Sequence, residues 1–92
     1  MSYTILDNRE ENRFELHAEG HMAIAEYILA PGKIIFTHTE VPVELEGKGV
    51  GSALAKYALD QVAATDLKIV PMCPFIKAYI ERHKEYQPLL YP

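Results

Sequence analysis

Val43-Glu44-Leu45-Glu46-Gly47-Lys48-Gly49-Val50-Gly51-Ser52-Ala53-Leu54 is the stretch that decides the fold. Three glycines at alternate positions close an apolar, strand-like run and open a helical one. Glycine adopts positive φ without steric cost and lets the main chain approach a ligand closely. The first turn of a helix has N–H groups with no partner in the helix, and the aligned peptide dipoles add partial positive charge there. An anion across Gly49 to Ser52 is therefore the expected ligand, with the charge of Lys48 beside it. The plainer alternative is a tight strand-to-helix connection that binds nothing and carries a solvated lysine.

Downstream of the turn the apolar period is helical. Val50, Leu54, Ala58 and Val62 recur every four residues, with Ala53 and Tyr57 filling in, which predicts an amphipathic helix to about Ala64. Asp66 to Pro71 follows as a buried strand, and the intervening helix makes it parallel to the strand that ends near Val41. Met72-Cys73-Pro74 leads into a second helix over Phe75 to Glu85, with Pro74 suited to a first helical position. The tail, with Pro88 and Pro92, is irregular, and its apolar residues are expected to pack on the sheet.

Upstream the period is two. Tyr3 to Asn8 is short and mixed, and a polar turn at 9–12 precedes the alternating segment Arg13 to Glu19. Gly20 turns the chain into His21 to Leu29, whose apolar side is expected at Met22, Ile24 and Ile28. Pro31-Gly32 turns it again into Ile34 to Val41, dense in β-branched and aromatic residues. The pattern predicts an α+β domain: an antiparallel meander, one parallel strand pair and two main helices.

Ninety-two residues suffice for one self-sufficient core, so residues 1–92 are read as a single domain without repeats or linkers. Nine basic against thirteen acidic side chains give a net charge of −4, which argues against nucleic acid held through its phosphates. Phosphate affinity must then be local. The single Cys73 and the absence of an apolar leader point to a reducing, cytoplasmic compartment, and the apolar runs are too short to span a membrane. His17 and His21 lie four apart across the Gly20 turn, without the helical glutamate of a zinc motif, and no metal is assigned to them.

This order of elements resembles the GCN5-related N-acetyltransferase family. That family's acyl-CoA signature, Gln/Arg-x-x-Gly-x-Gly/Ala, falls on Glu46-Gly47-Lys48-Gly49-Val50-Gly51, with Glu46 standing where the family has Gln or Arg. The resemblance is closest to a minimal, YjdJ-like subgroup, through His38-Thr39-x-Val41-Pro42, the glycine turn, and Cys73-Pro74-Phe75 followed by Tyr79 and His83. A dinucleotide-binding Gly-x-Gly-x-x-Gly turn would need Gly where Ser52 stands and a parallel βαβ unit in place of hairpins.

The resemblance implies an acetyl-CoA-dependent N-acetyltransferase that acetylates a primary amine on a peptide or small molecule; the alternative is a non-catalytic coenzyme A-binding or interaction module. It places the pyrophosphate on the amides of Gly47, Lys48, Gly49, Val50, Gly51 and Ser52, and the pantetheine arm along Val41, Val43 and Leu45. It also brings Cys73 to the thioester, either to accept the acyl group or to line its pocket. His38 is the candidate general base, with Glu40 and Glu44 as substitutes. Tyr79 is a candidate general acid, with core packing in the last helix as the alternative; the family's usual tyrosine position corresponds to about Arg82, a mismatch that argues against direct transfer of the standard acid role.

Overall fold

Turn chemistry sets where each strand stops. The computed structural model describes residues 2–92, and in it β1 (Thr4–Asn8), β2 (Arg13–Ala18), β3 (His21–Ala30) and β4 (Lys33–Glu40) form an antiparallel meander. Two-residue turns at Glu19-Gly20 and Pro31-Gly32 join β2 to β3 and β3 to β4. The chain then makes a single 3-10 turn, Val43–Leu45, and enters helix α1 (Val50–Ala63). Strand β5 (Lys68–Pro71) lies parallel to β4, completing the strand order β1-β2-β3-β4-β5. Helix α2 (Pro74–Arg82) and a 3-10 segment, Lys84–Leu89, finish the fold, and Leu90 bridges back to Ile69. None of these helices is long and apolar enough to cross a membrane.

Both helices pack on one face of the sheet. Phe14, Leu16 and Ala18 of β2, Ala23, Ala25 and Tyr27 of β3, and Ile34 and Phe36 of β4 share a core with Leu54, Ala58 and Leu59 of α1 and Ile76 and Ile80 of α2. Burying each large side chain contributes roughly 1.5–3 kcal/mol. One expectation is overturned here. Met22, Ile24 and Ile28 do share a side of β3, but it is the side away from the helices, and Met22 and Ile28 are exposed. The core side is Ala23, Ala25 and Tyr27, because the two alanines leave room for α1 to approach the sheet while Tyr27 and Phe14 fill the space beyond, ring centroids 5.3 Å apart.

A register shift marks the sheet's centre. Glu26 pairs with His38 but Tyr27 pairs with Phe36, so Thr37 is the extra residue of a β-bulge. Beyond it the alternation resumes with His38 and Glu40 on the open face and Thr39 on the helix side.

Glu15, on the open face of β2, is 5% exposed. Arg13 Nε donates to it at 2.7 Å, His17 Nε2 at 2.9 Å and Asn8 Nδ2 at 2.9 Å. The Arg13 hydrogen bond outweighs the cost of burial, and together with His17 and Asn8 holds the carboxyl at about 2, against an ordinary 4.5. A depressed carboxylate stabilises the fold fully above the unfolded value and loses that contribution as pH falls through the folded one. Acid should therefore erode stability between about pH 4.5 and 2. Glu15→Gln is expected to cost on the order of 2 kcal/mol at neutral pH and to flatten that acid limb, as checked by urea unfolding at several pH values.

Candidate functional site

Parallel pairing of β4 and β5 runs Lys33↔Lys68, Ile34↔Ile69, Ile35↔Val70 and Phe36↔Pro71, and then stops. β5 ends at Pro71 while β4 continues to Glu40, so the two strands part beyond Phe36. The fork is pinned at its apex, where the Cys73 N–H donates to the Phe36 carbonyl at 2.9 Å. Cys73 is the N-cap of α2, followed by Pro74 at the start of the helix, where a missing N–H costs nothing. Cys73 is 3% exposed, and its thiol shares a 3.2 Å hydrogen bond with Thr39 Oγ1 across the fork.

The glycine turn sits beside the open end of this fork. Gly47 and Gly49 adopt φ of +77° and +73°, a region that β-branched residues essentially avoid, and Gly49 is the N-cap of α1. The helical ladder begins with the Ala53 N–H on the Gly49 carbonyl at 3.0 Å, so the N–H groups of Val50, Gly51 and Ser52 precede it. Gly51 packs under the Phe75 ring, where an added Cβ would lie 2.9 Å from the ring's tip. Val41, Leu45, Glu46, Gly47 and Gly49 to Ser52 line, with Phe75, an open cleft of about 230 Å³.

This arrangement fits an anion bound by main-chain donors. The Glu46 carboxylate on the cleft wall works against an anion, which leaves the attraction to the N–H groups and the helix dipole. Lys48 has another partner: its Nζ donates to both carboxylate oxygens of Glu19, at 2.9 and 3.2 Å. That ion pair holds the Glu19 carboxyl below its ordinary value.

Several sequence expectations change here. Residues 43–45 are a 3-10 turn and not strand, because Pro42 has no N–H with which to continue β4. Val43 is 73% exposed and lies outside the cleft lining, while Leu45 is buried beneath it. The free strand edge is therefore Thr37 to Glu40. His38 lies on the open face, exposed, with its Nε2 3.1 Å from Glu40 Oε2, whereas Thr39 and Cys73 are on the helix side. The fold does not bring His38 and Cys73 together. Glu44 lies 3.8 Å from His21, and His17 is bound to Glu15. Tyr79 is buried with its ring stacked on His83, centroids 3.9 Å apart, and burial raises its hydroxyl's pKa. Arg82 is the last residue of α2. Thr39 and Phe75, both within the motifs quoted above, acquire a contact role that spacing alone did not suggest.

Residues 13–89 match the family of GCN5-related N-acetyl-transferases. The chain belongs to the GCN5-related N-acetyltransferase family. A GCN5-like N-acetyltransferase candidate from Staphylococcus aureus, solved by NMR, superposes with a TM-score of 0.73 over 96% of this chain and 87% of its own, at 30% identity. Protein NATD1 of Mus musculus is 33% identical over 79 residues, covering 83% of this chain and 72% of its own. The Xenopus tropicalis protein of that name is 31% identical over 85 residues, covering 89% and 78%. In this family setting, the bulged β4, the fork and the glycine turn occupy one end of a single sheet.

The strain at Gly49 is measurable. Gly49→Val should destabilise the domain by about 1–2 kcal/mol in urea unfolding, whereas Gly49→Asn, a residue that tolerates left-handed backbone, should cost less.

Proposed function

We propose that this chain is a small acetyl-CoA-dependent N-acetyltransferase, a single domain over residues 1–92, that acetylates a primary amine. The supporting observation is the juxtaposition of a cleft lined by the unpaired N–H groups of α1 with the unpaired continuation of β4 past Phe36. In this reading the N–H groups at 49–52 take the pyrophosphate, and the β4 edge from Thr37 to Glu40, with Val41 following it, pairs with the amides of the pantetheine arm, as an added strand would. Thr39 and Cys73 then line the acyl end.

Direct attack of the amine on the thioester carbonyl fits this site better than relay through Cys73. A relay needs a base to take the thiol proton, and among the described residues the hydrogen-bond partner of Cys73 Sγ is the Thr39 hydroxyl. In direct transfer a new C–N bond forms, the C–S bond breaks, coenzyme A leaves as the thiolate, and the amine's proton passes to water. His38, held by Glu40 on the exposed face, can receive it only through water.

Calorimetry with acetyl-CoA tests the cradle. Wild type should bind, Gly49→Val should lose at least about tenfold in affinity, and Glu46→Gln should bind a few-fold tighter at low salt because a repulsive charge is removed. Unchanged affinity in Gly49→Val would sink the proposal. Transfer is tested by release of free coenzyme A thiol with a panel of amines and basic peptides. Cys73→Ala should retain activity within about tenfold and intact mass should show no acetylated Cys73, whereas a loss of about a thousandfold would restore the relay. Binding without turnover on any amine would leave a non-catalytic coenzyme A module.

A further inference from the structure

The sheet face opposite the helices carries polar and apolar side chains side by side. Over the antiparallel strands it carries the Arg13, Glu15 and His17 network. Over the parallel pair it carries Lys33 and Lys68 and then the apolar Ile35 and Val70. Ile28, Ile35 and Val70 stand in direct register across β3, β4 and β5, a continuous row of branched side chains. Met72 and Ile28 at its margins are 67% and 54% exposed. The Tyr91 ring, with Lys33 Nζ 4.5 Å from its centroid, borders the row beyond β5. Among the described residues no helix covers this face, and Ile28, Ile35 and Val70 take no part in the core cluster.

A mostly antiparallel sheet commonly leaves one face to water, and such a face is then polar, whereas continuous apolar runs mark strands covered on both faces. Ile34-Ile35-Phe36 and Ile69-Val70 are such runs, yet the fold buries only alternate members. The other members, Ile35 and Val70, are half-buried on the open face, where a second layer would cover them.

Charge identifies that layer. On one side of the apolar row the open face carries Lys33 and Lys68, which pair directly across β4 and β5. On the other side it carries Glu26, paired with His38, and Glu40. Arg13, the cation opposite Glu26, is bound to Glu15. The face is thus basic, apolar and acidic in succession along the strands. A second copy rotated by 180° about an axis lying along the Ile28-Ile35-Val70 row places its strands antiparallel to the first. Each lysine pole then meets the other copy's Glu26 and Glu40, and the apolar rows meet each other. The remaining face-to-face arrangement, with the axis along the strands, sets lysine against lysine.

We propose that this face is a two-fold dimer interface in which two copies stack sheet on sheet, about 10 Å apart, burying the Ile28-Ile35-Val70 row. The interface does not depend on the acyl donor, because the glycine cleft and the fork between Thr39 and Cys73 lie on the helix side. Sedimentation equilibrium of the full chain over a range of concentrations should give the mass of two chains. Ile28→Glu should give a monomer whose circular dichroism matches wild type. Two charge-reversed double variants, Lys33→Glu/Lys68→Glu and Glu26→Lys/Glu40→Lys, should each be monomeric alone and form a mixed dimer when combined. A monomeric wild type overturns the proposal. So does a dimer that survives Ile28→Glu, or a mixture of folded charge-reversed variants that stays monomeric; the mixing test decides the matter if Ile28→Glu fails to fold.

Discussion

Everything distinctive about this fold depends on the place where β5 stops pairing with β4. Pro71 and Pro74 bracket a chain reversal in which the Cys73 N–H reaches back to the Phe36 carbonyl. That bond closes the fork while β4, carrying the Thr37 bulge, runs on with one edge unpaired. Water can satisfy such an edge, but so can a ligand whose amides imitate a strand. The same reversal starts α2 and places Phe75 over Gly51, so the helix that caps the fork also holds the glycine turn in position.

Charge is distributed so that, in the proposed anion cradle, the main chain and not side chains would supply the attraction. Lys48 is engaged by Glu19, and Glu46 opposes an anion. Dipoles and N–H groups fixed by the backbone lose no side-chain entropy when a ligand arrives, which suits a turn built from residues without side chains. Elsewhere charge supports the fold. Glu15 is stabilised by three donors on the open face, and Asp60 by Lys56 and the Tyr86 hydroxyl, the latter joining the C-terminal segment to α1.

The order of elements could be read from the chain because glycine, proline and a change of period are local signals. Gly20 and Gly32 marked the hairpin turns, Gly49 the start of α1 and Pro74 the start of α2, and the step from period two to period four separated sheet from helix. Faces and partners were less legible. β3 is apolar on both sides, so the pattern could not say that Ala23 and Ala25, and not Met22 and Ile24, would meet α1; the smaller residues win because a helix must come close. Val43-Glu44-Leu45 looked like strand until the missing N–H of Pro42 was set against the course of the chain.

By itself the sequence determined the α+β class, the family and the glycine-built turn at 47–52 that opens α1, since each rests on backbone freedom or short-range periodicity. The tertiary structure decided which side chains share a site. It set Thr39 against Cys73 and turned His38 away, because the Thr37 bulge resets the alternation of β4. It also joined Ile28, Ile35 and Val70 into one row on the open face. Their alignment depends on the register between strands distant in sequence, which local pattern does not encode.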